Sequence, residues 1–150
     1  MPSDELYMSL ALEQAEEAAL AGEVPVGAVL VKDDTLIAAD RNRREGFNDA
    51  SAHAEILVIR EAGALLGSWR LSGCTLYVTL EPCPMCAGAM VLARLSRLVF
   101  GARDPKSGAA GTLYDIVRDL RLNHRVEVSS GILEDKCSAL LQCFFRERRC

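Results

Sequence analysis

The sequence predicts an α/β sandwich, in which helices pack against a sheet of short strands. Two observations indicate this class. Short apolar segments alternate with helical segments along the chain, and the segments at 26–31 and Cys74–Leu80 are apolar enough to be buried strands. The chain has 150 residues and half of them are apolar, which suits one domain with a substantial core. Residues 1–150 are therefore expected to form a single domain.

Each predicted element has a local reason in the sequence. Ser3 can cap a first helix that runs to about residue 21, and Gly22 suits its end. Leu6, Leu10 and Ala18 are among the apolar positions of that helix. The other expected elements are a hairpin of strands at 26–31 and 35–39, a polar loop at 41–51, a helix at 52–66, a strand at Cys74–Leu80, a helix at 84–95, a strand at 97–101, a flexible loop at 102–111, a short helical piece, a strand at 126–129 and a helix at 135–148.

The net charge of −4 is unevenly distributed. The first 24 residues hold six acidic residues and no Lys or Arg, so the remainder carries a net charge of +2. Arginines cluster at 41–44, 94–97, 118–125 and 146–149. This pattern permits a basic face that binds nucleic acid, although solvated surface is a sufficient explanation for each cluster alone.

The expected compartment is the cytoplasm. No apolar run approaches the roughly 20 residues of a membrane span, so no membrane partner is expected. Residues 1–5 are acidic and lack the basic-then-apolar pattern of a leader peptide. We therefore expect the six cysteines to be reduced.

Three candidate metal ligands and one carboxylate lie in two short runs. His53 and Glu55 are two residues apart, and Cys83 and Cys86 form a Cys-x-x-Cys pair in a loop stiffened by prolines. One imidazole and two thiolates suit Zn²⁺ and leave a fourth position for water, as in catalytic zinc sites. The carboxylate need not bind the metal and can move protons. This arrangement is typical of zinc nucleobase deaminases.

Other interpretations of each part are weaker. A lone Cys-x-x-Cys also occurs in redox proteins and as half of a zinc ribbon. An early β-α-β unit, the usual redox setting, is missing, and the other four cysteines are scattered. Alone, His53 would be a core histidine and Glu55 a solvated helix residue. Both are expected in the first turn of one helix, where they would point about 200° apart. That turn must therefore be placed so that the imidazole reaches the metal and the carboxylate reaches the substrate.

Further segments extend the pattern beyond the metal motif. They are residues 23–30 (EVPVGAVL), 52–55 (AHAE), 77–90 (YVTLEPCPMCAGAM), 99–106 (VFGARDPK) and 123–126 (NHRV), with Phe144 and Phe145 near the end. In these segments the chain resembles the bacterial tRNA-specific adenosine deaminases (TadA), of the cytidine deaminase-like superfamily. The resemblance covers nearly the whole chain. It implies a three-layer α/β/α sandwich around a five-stranded mixed sheet.

The resemblance also implies an activity. Family members convert the wobble adenosine of a tRNA anticodon to inosine, typically in the arginine tRNA with anticodon ACG. One Zn²⁺ per subunit would be held by His53, Cys83 and Cys86 and would activate water, while Glu55 would carry protons to the ring nitrogen and to the departing ammonia. The implied substrate-binding residues are Asn42, Ala54, Asp104, Lys106, Phe145 and Arg149. No DNA partner is expected.

The implied partners are the tRNA anticodon stem-loop and a second copy of the chain in a homodimer. Apolar residues near the end of the 84–95 helix are candidates for that interface, although core packing explains them equally well; they are Met90, Val91, Leu92 and Leu95. The chain departs from the family pattern at Ala50, where proline is common, and the segment at 118–122 is unusually charged. These departures affect the expected RNA affinity and tRNA choice, and they remove no reacting group.

Two other functions remain open. A small-molecule deaminase that acts on guanine or cytosine would have the same metal motif. The discriminating features are Asn42, the loop at 102–111 and the last helix with its arginines. A non-catalytic RNA-binding subunit is a second alternative, and the presence of Glu55 counts against it.

Overall fold

A computed structural model describes residues 3–147, and within that range one five-stranded sheet is found. The strands are β1 (Gly27–Lys32), β2 (Thr35–Arg41), β3 (Cys74–Leu80), β4 (Arg97–Ala102) and β5 (Glu127–Ser130). The helices are α1 (Asp4–Leu20), α2 (Arg44–Phe47), α3 (Ala54–Leu66), α4 (Pro84–Leu92) and α5 (Glu134–Glu147). The spatial order is β2-β1-β3-β4-β5; β1 is antiparallel to β2 and β3, and β4 is parallel to β3 and β5. The expected mixed five-stranded sheet is therefore confirmed.

The sheet has a hydrophobic core on each face. Successive residues of a strand point to opposite faces, so one strand supplies both cores. In β1, Leu30 belongs to the core shared with α3 and α4, whereas Val29 and Val31 belong to the core shared with α1 and α5. This arrangement confirms the α/β/α sandwich and explains why the sequence of β1 is apolar at consecutive positions.

The hairpin predicted from the sequence joins β1 to β2. Its two turn residues, Asp33 and Asp34, both have positive φ values, of 51° and 58°. Short hairpins with this twist require positive φ at both central positions, and aspartate tolerates it better than most residues. The strand register accordingly pairs Lys32 with Thr35 across the turn.

Helix α1 begins as predicted, because the Ser3 hydroxyl oxygen accepts a hydrogen bond of 3.2 Å from the backbone N–H of Leu6. The assignment of Leu6 to the apolar face is wrong, since its side chain is half exposed. The buried face instead uses small residues such as Ala11 and Ala15, which bring the helix axis close to β1.

At 17 residues α1 is the longest described helix, and no described helix combines the length and apolar character that a membrane span needs.

Helix α4 ends three residues earlier than the sequence predicts. Arg94 adopts a left-handed φ of 59°, and the N–H of Leu95 donates to Met90 O at 3.1 Å, a typical helix-terminating pattern. Leu95 therefore leaves the helix, and its side chain is fully buried in the core on the α3 and α4 face of the sheet. The sequence did not reveal this end, because the residue that leaves the helical conformation is arginine rather than glycine.

Two loop predictions also need correction. The segment at 41–51 contains the short helix α2, whose first N–H groups, at Glu45 and Gly46, donate to the Glu23 carboxylate at 3.1 and 2.8 Å. The short helical piece expected after residue 111 is not found in the described chain. There, the N–H of Ile116 donates to Ala109 O, seven residues earlier, instead of to a carbonyl four residues earlier. The first correction arises from a partner 22 residues away in sequence, and the second from a loop closed by hydrogen bonds that are longer than helical ones.

The close approach of α1 to β1 gives a stability prediction. A Cβ atom at Gly27 would overlap the backbone O of Ala11 and the backbone N of Ala15, neither of which can rotate away. We expect Gly27→Ala to lower the free energy of unfolding by about 3 kcal/mol or more. The measurement is urea-induced unfolding followed by circular dichroism.

Gly46 provides the control for Gly27. It lies within α2, and a Cβ atom there would meet only the Glu23 Oε2 atom, at an ordinary contact distance of 3.6 Å. Gly46→Ala should therefore change stability by no more than about 1 kcal/mol. An equal effect of the two substitutions would contradict the packing argument.

Candidate active site

The N-termini of α3 and α4 lie close together, and residues at these two N-termini bring three candidate metal-ligand atoms together. The His53 Nδ1 atom lies 3.4 Å from Cys86 Sγ and 3.6 Å from Cys83 Sγ. The three ligand atoms lie within 4.8 Å of one another. His53 immediately precedes α3 and Cys83 immediately precedes α4, so both side chains leave a helix N-terminus toward the same small volume.

The position of His53 resolves the difficulty of its spacing from Glu55. We expected both residues in the first helical turn, but His53 has an extended conformation, with φ −78° and ψ 150°, and the helix begins at Ala54. Side chains two apart therefore do not diverge by the helical 200°. The imidazole reaches the cysteines while the carboxylate of Glu55 faces the same cleft.

The donor set fits zinc. Bond lengths of about 2.0–2.1 Å to nitrogen and about 2.3 Å to sulfur, at a tetrahedral angle, separate the two donors by about 3.6 Å. The observed separations of 3.4 and 3.6 Å agree with that value. The hydrogen bond between the two cysteines lowers the pKa of Cys83 to about 4 and, with burial, raises the pKa of Cys86, so Cys83 is the thiolate of the pair at neutral pH. A bound cation would favour the thiolate form of both sulfurs.

Glu55 is a buried acid beside the three donors. Its side chain is 4% exposed, and burial raises its pKa to about 7. A carboxyl group with this pKa exists in both protonation states near neutral pH, as general acid–base catalysis requires. The arrangement can therefore pair a bound metal with an adjacent group that accepts and returns protons.

An open cleft of about 770 Å³ leads to these groups. His53, Glu55 and Cys83 line it, and so do four of the residues expected to bind substrate, which are Asn42, Asp104, Lys106 and Phe145. One wall is formed by residues 102–107. They belong to the segment 102–112, which we call the cleft loop. Arg149 lies outside the described residues.

Two neighbouring aromatic residues of α5 have side chains in different surroundings. Phe144 is buried in the protein, whereas Phe145 is 55% exposed and lines the cleft. Their rings meet edge to face, with centroids 5.5 Å apart. Phe144 is therefore a core residue, and the ring of Phe145 is available to a ligand.

Asn42 and Ala54 form one unit rather than two separate contacts. The Asn42 Oδ1 atom accepts a hydrogen bond of 2.9 Å from the backbone N–H of Ala54, the first residue of α3. The Asn42 amide nitrogen donates to Val24 O at 3.2 Å. Ala54 itself is fully buried, so its contribution is this N–H group. Asn42 thus fixes the helix start that carries Glu55.

Sequence reasoning missed two buried carboxylates near the cleft. Glu23 is 3% exposed and caps α2, and Glu81 is 2% exposed and accepts hydrogen bonds from the cleft loop. For Glu81 a signal existed, since a charged residue stands between an apolar strand and the Pro-Cys run. For Glu23 the partner is 22 residues away, and no local pattern marks it.

Comparisons with known proteins agree with this chemistry. The chain matches the profile of the MafB19-like deaminase family over residues 2–149. It is 56% identical over 149 residues to the tRNA-specific adenosine deaminase of Bacillus subtilis (strain 168), across 99% of this chain and 92% of that protein. The chain belongs to the tRNA-specific adenosine deaminase family.

Other members and neighbours support the assignment. A tRNA-specific adenosine deaminase of Haemophilus influenzae is 47% identical over 152 residues, which cover 97% of this chain and 85% of that protein. A solved structure from studies of A-to-I editing by tRNA A34 deaminases at the wobble position has a TM-score of 0.87 and 47% identity. That match covers 90% of this chain and 98% of the other. The resemblance inferred from the sequence is confirmed, and the chain is a deaminase enzyme.

A similar fold is also found in a deaminase that acts on a different base. A guanine deaminase from Nitrosomonas europaea has a TM-score of 0.84 and 29% identity, over 96% of this chain and 85% of that chain. The overall fold is therefore insufficient to separate the two substrates.

The role of Asn42 in the helix start leads to a second stability prediction. Asn42→Ala leaves the buried N–H of Ala54 without its acceptor, which should lower the free energy of unfolding by about 1–3 kcal/mol. The exposed Asn123 is the control, and Asn123→Ala should change stability by no more than about 0.5 kcal/mol. Chemical denaturation of both variants measures the difference. Equal stability of the two would show that the hydrogen bond of Asn42 contributes nothing.

Proposed function

We propose that the chain catalyses hydrolytic deamination of adenosine to inosine at the wobble position of a tRNA anticodon. The typical substrate would be the arginine tRNA with anticodon ACG. The observation that carries the proposal is the 56% identity, over 99% of this chain, to a tRNA-specific adenosine deaminase. The cytoplasm, where tRNA is found, is the proposed compartment, and residues 1–150 would act as one catalytic domain.

Zn²⁺, one ion per chain, is the proposed cofactor. His53, Cys83 and Cys86 would hold it, as the separations of their donor atoms support. Bound zinc supplies Lewis-acid activation of water at neutral pH. A site with three protein donors leaves a position open, which is typical of catalytic and not of structural zinc.

Glu55 is the proposed proton carrier. Its carboxylate would take one proton from the attacking water and give it to the adenine ring nitrogen. It would then take the second proton, from the hydroxyl group now attached to C6, and give it to the departing amine as the C6 carbonyl forms. The products are inosine and ammonia, so all atoms of adenosine and water are accounted for. The burial that raises the pKa of Glu55 to about 7 supports both directions of transfer.

The cleft is open to solvent, and hydrogen-bond donors such as Asn42 and Lys106 line it, as binding of an extruded nucleotide would require. A base in a single-stranded anticodon loop leaves its stack at a lower cost than a paired base. We propose that Asn42 hydrogen-bonds the target nucleotide through the N–H of its amide that is not bound to Val24. Lys106 is exposed and would contact the RNA backbone, while the exposed ring of Phe145 would stack on a neighbouring base.

Asp104 has a more restricted role than a free carboxylate. Its side chain accepts hydrogen bonds from the N–H of Lys106 and from the hydroxyl of Ser107, both at 2.9 Å. We propose that it shapes the loop that meets the anticodon. Arg149 is proposed as a further backbone contact, and DNA remains outside the proposed substrates.

A homodimer is the proposed assembly. Met90, Val91 and Leu95 are buried within one chain, so they belong to its core. Leu92 is 72% exposed on α4, and Met85 is 40% exposed on the same helix. These two side chains support an interface along α4, beside the metal donor Cys86.

The substrate proposal is tested with two kinds of substrate. The protein is incubated with an anticodon stem-loop RNA that has adenosine at the wobble position, and separately with free guanine and cytosine. Nucleosides and bases are then analysed by chromatography. We expect inosine from the RNA and no change in the free bases. Guanine deamination without activity on RNA would favour the small-molecule alternative, to which the similarity with the Nitrosomonas europaea enzyme points.

The Glu55→Ala variant is included in the same assay. We expect it to keep one zinc per chain, measured by metal analysis, and to lose turnover by about 10²-fold or more. His53→Ala should lose both the metal and the activity. A folded Glu55→Ala protein without zinc would contradict the separation of metal binding from proton transfer, and an active one would exclude this residue as the proton carrier.

Light scattering coupled to size exclusion tests the assembly. The wild-type chain should elute with twice the mass of one chain, and Leu92→Glu should shift it to one, since a charge would be buried in the interface. Leu120→Glu changes a similarly exposed leucine, at 78%, outside the helices and is the control. A wild-type monomer, or a dimer that survives Leu92→Glu, would refute an interface at this position.

A further inference from the structure

Glu81 is a buried acid that none of the proposed chemical steps uses. It follows β3 directly and lies two residues before the proposed metal donor Cys83. Its side chain is 2% exposed. A buried carboxylate is costly unless it is well hydrogen-bonded, so its partners should reveal its purpose.

All four hydrogen bonds to its carboxylate come from the cleft loop. The Oε1 atom accepts from the backbone N–H of Asp104 at 3.0 Å and from the hydroxyl of Thr112. The Oε2 atom accepts from the N–H groups of Ala110 and Thr112, at 3.0 and 3.1 Å. The carboxylate therefore binds both ends of the loop. With its acceptor positions occupied, Glu81 has little capacity left to exchange protons with a substrate.

The same short stretch of chain makes further contacts with the loop. The N–H of Glu81 donates to Ala102 O, and Pro82 O accepts from the N–H of Ala109, both at 2.8 Å. Gly108 packs so closely on the carboxylate that a Cβ atom there would lie 2.5 Å from the Glu81 Cδ and Oε1 atoms. The loop is thus held at its start, middle and end by the residues that lead into Cys83.

The loop also has internal hydrogen bonds, such as that from the N–H of Gly108 to Asp104 O at 2.9 Å and those that the Asp104 side chain accepts, but these join loop residues to one another and not to the metal donors. Between β4 and β5, the described chain contains one isolated bridge, from Ala110 to Asp115, and no helix. Hydrogen bonds to a charged acceptor are about twice as strong as those between neutral groups. Glu81 is therefore the main fixed point that sets the distance between the loop and the metal donors.

We propose that Glu81 is a positioning residue for substrate recognition, because it fixes the cleft loop, with Asp104 and Lys106, relative to Cys83. This inference rests on the proposed function, since the loop is taken to meet RNA. It predicts that loss of Glu81 weakens RNA binding more than the chemical step. A residue that merely stabilised the fold would not separate the two.

Three variants test the inference through KM and single-turnover rate on the anticodon stem-loop RNA. Glu81→Gln keeps the size of the side chain but turns an NH₂ group toward N–H donors, so KM should rise about tenfold. The single-turnover rate at saturating RNA should stay within about threefold, and the zinc content should not change. Thr112→Val removes one of the four donors and should raise KM by a smaller factor, whereas Thr112→Ser keeps the hydroxyl and should match the wild type.

Amide hydrogen exchange gives a readout that is independent of activity. The amides of Asp104, Ala110 and Thr112 should exchange at least about tenfold faster in Glu81→Gln, while those of β4 stay unchanged. Equal exchange in variant and wild type would overturn the inference. So would a loss of zinc, or a lower single-turnover rate with an unchanged KM. If the wild type fails to deaminate RNA, the proposed function and the recognition role fall together, and the exchange data decide separately whether Glu81 anchors the loop.

Discussion

The meeting of one imidazole nitrogen and two sulfur atoms, within 4.8 Å of one another, is the constraint on which the rest of the proposed active site depends. His53 lies 30 residues before Cys83 and 33 before Cys86, so the three donors meet only where α3 and α4 begin together. The parallel pairing of β3 with β4 and the packing of both helices on one face of the sheet fix that meeting point. Asn42 adds a local restraint, because it binds the first N–H of α3.

Two buried glutamates next to the proposed metal site show how the surroundings give different roles to the same type of side chain. Burial dominates at Glu55 and raises its pKa to about 7. At Glu81 burial also opposes the charge, but hydrogen bonds from Thr112 and from loop N–H groups outweigh it, so the pKa falls below its usual value. One group can therefore exchange a proton near neutral pH, whereas the other remains a fixed anion.

Helix α5 forms part of the cleft wall, and two other segments beside the cleft are each held by an acceptor from elsewhere in the chain. Glu23 holds the segment that carries Arg44, and Glu81 holds the cleft loop. Loops fixed in this way can present side chains to a large, irregular substrate without rearranging first, which lowers the entropy lost on binding. The related adenosine and guanine deaminases share the fold, so differences along such walls are the natural source of substrate choice.

The sequence alone determined the alternation of strands and helices and the hairpin at Asp33 and Asp34. It also predicted the group of His53, Cys83 and Cys86, which the structure brings together, with Glu55 beside it. These features are local, since they depend on residue type, short spacing and hydrophobic pattern. Similarity over nearly the whole chain then established the family. What the sequence could not determine depends on contacts between distant residues.

Only the tertiary structure decided that His53 lies outside α3, that α4 ends before Leu95, and that α2 is capped by Glu23. It alone decided that Glu81 binds the cleft loop and that Phe145, unlike Phe144, faces the cleft. The physical reason is the same in each case. A buried N–H or carboxylate must find a partner, and that partner is supplied by whichever segment the fold brings near, at a separation in sequence that no local pattern records.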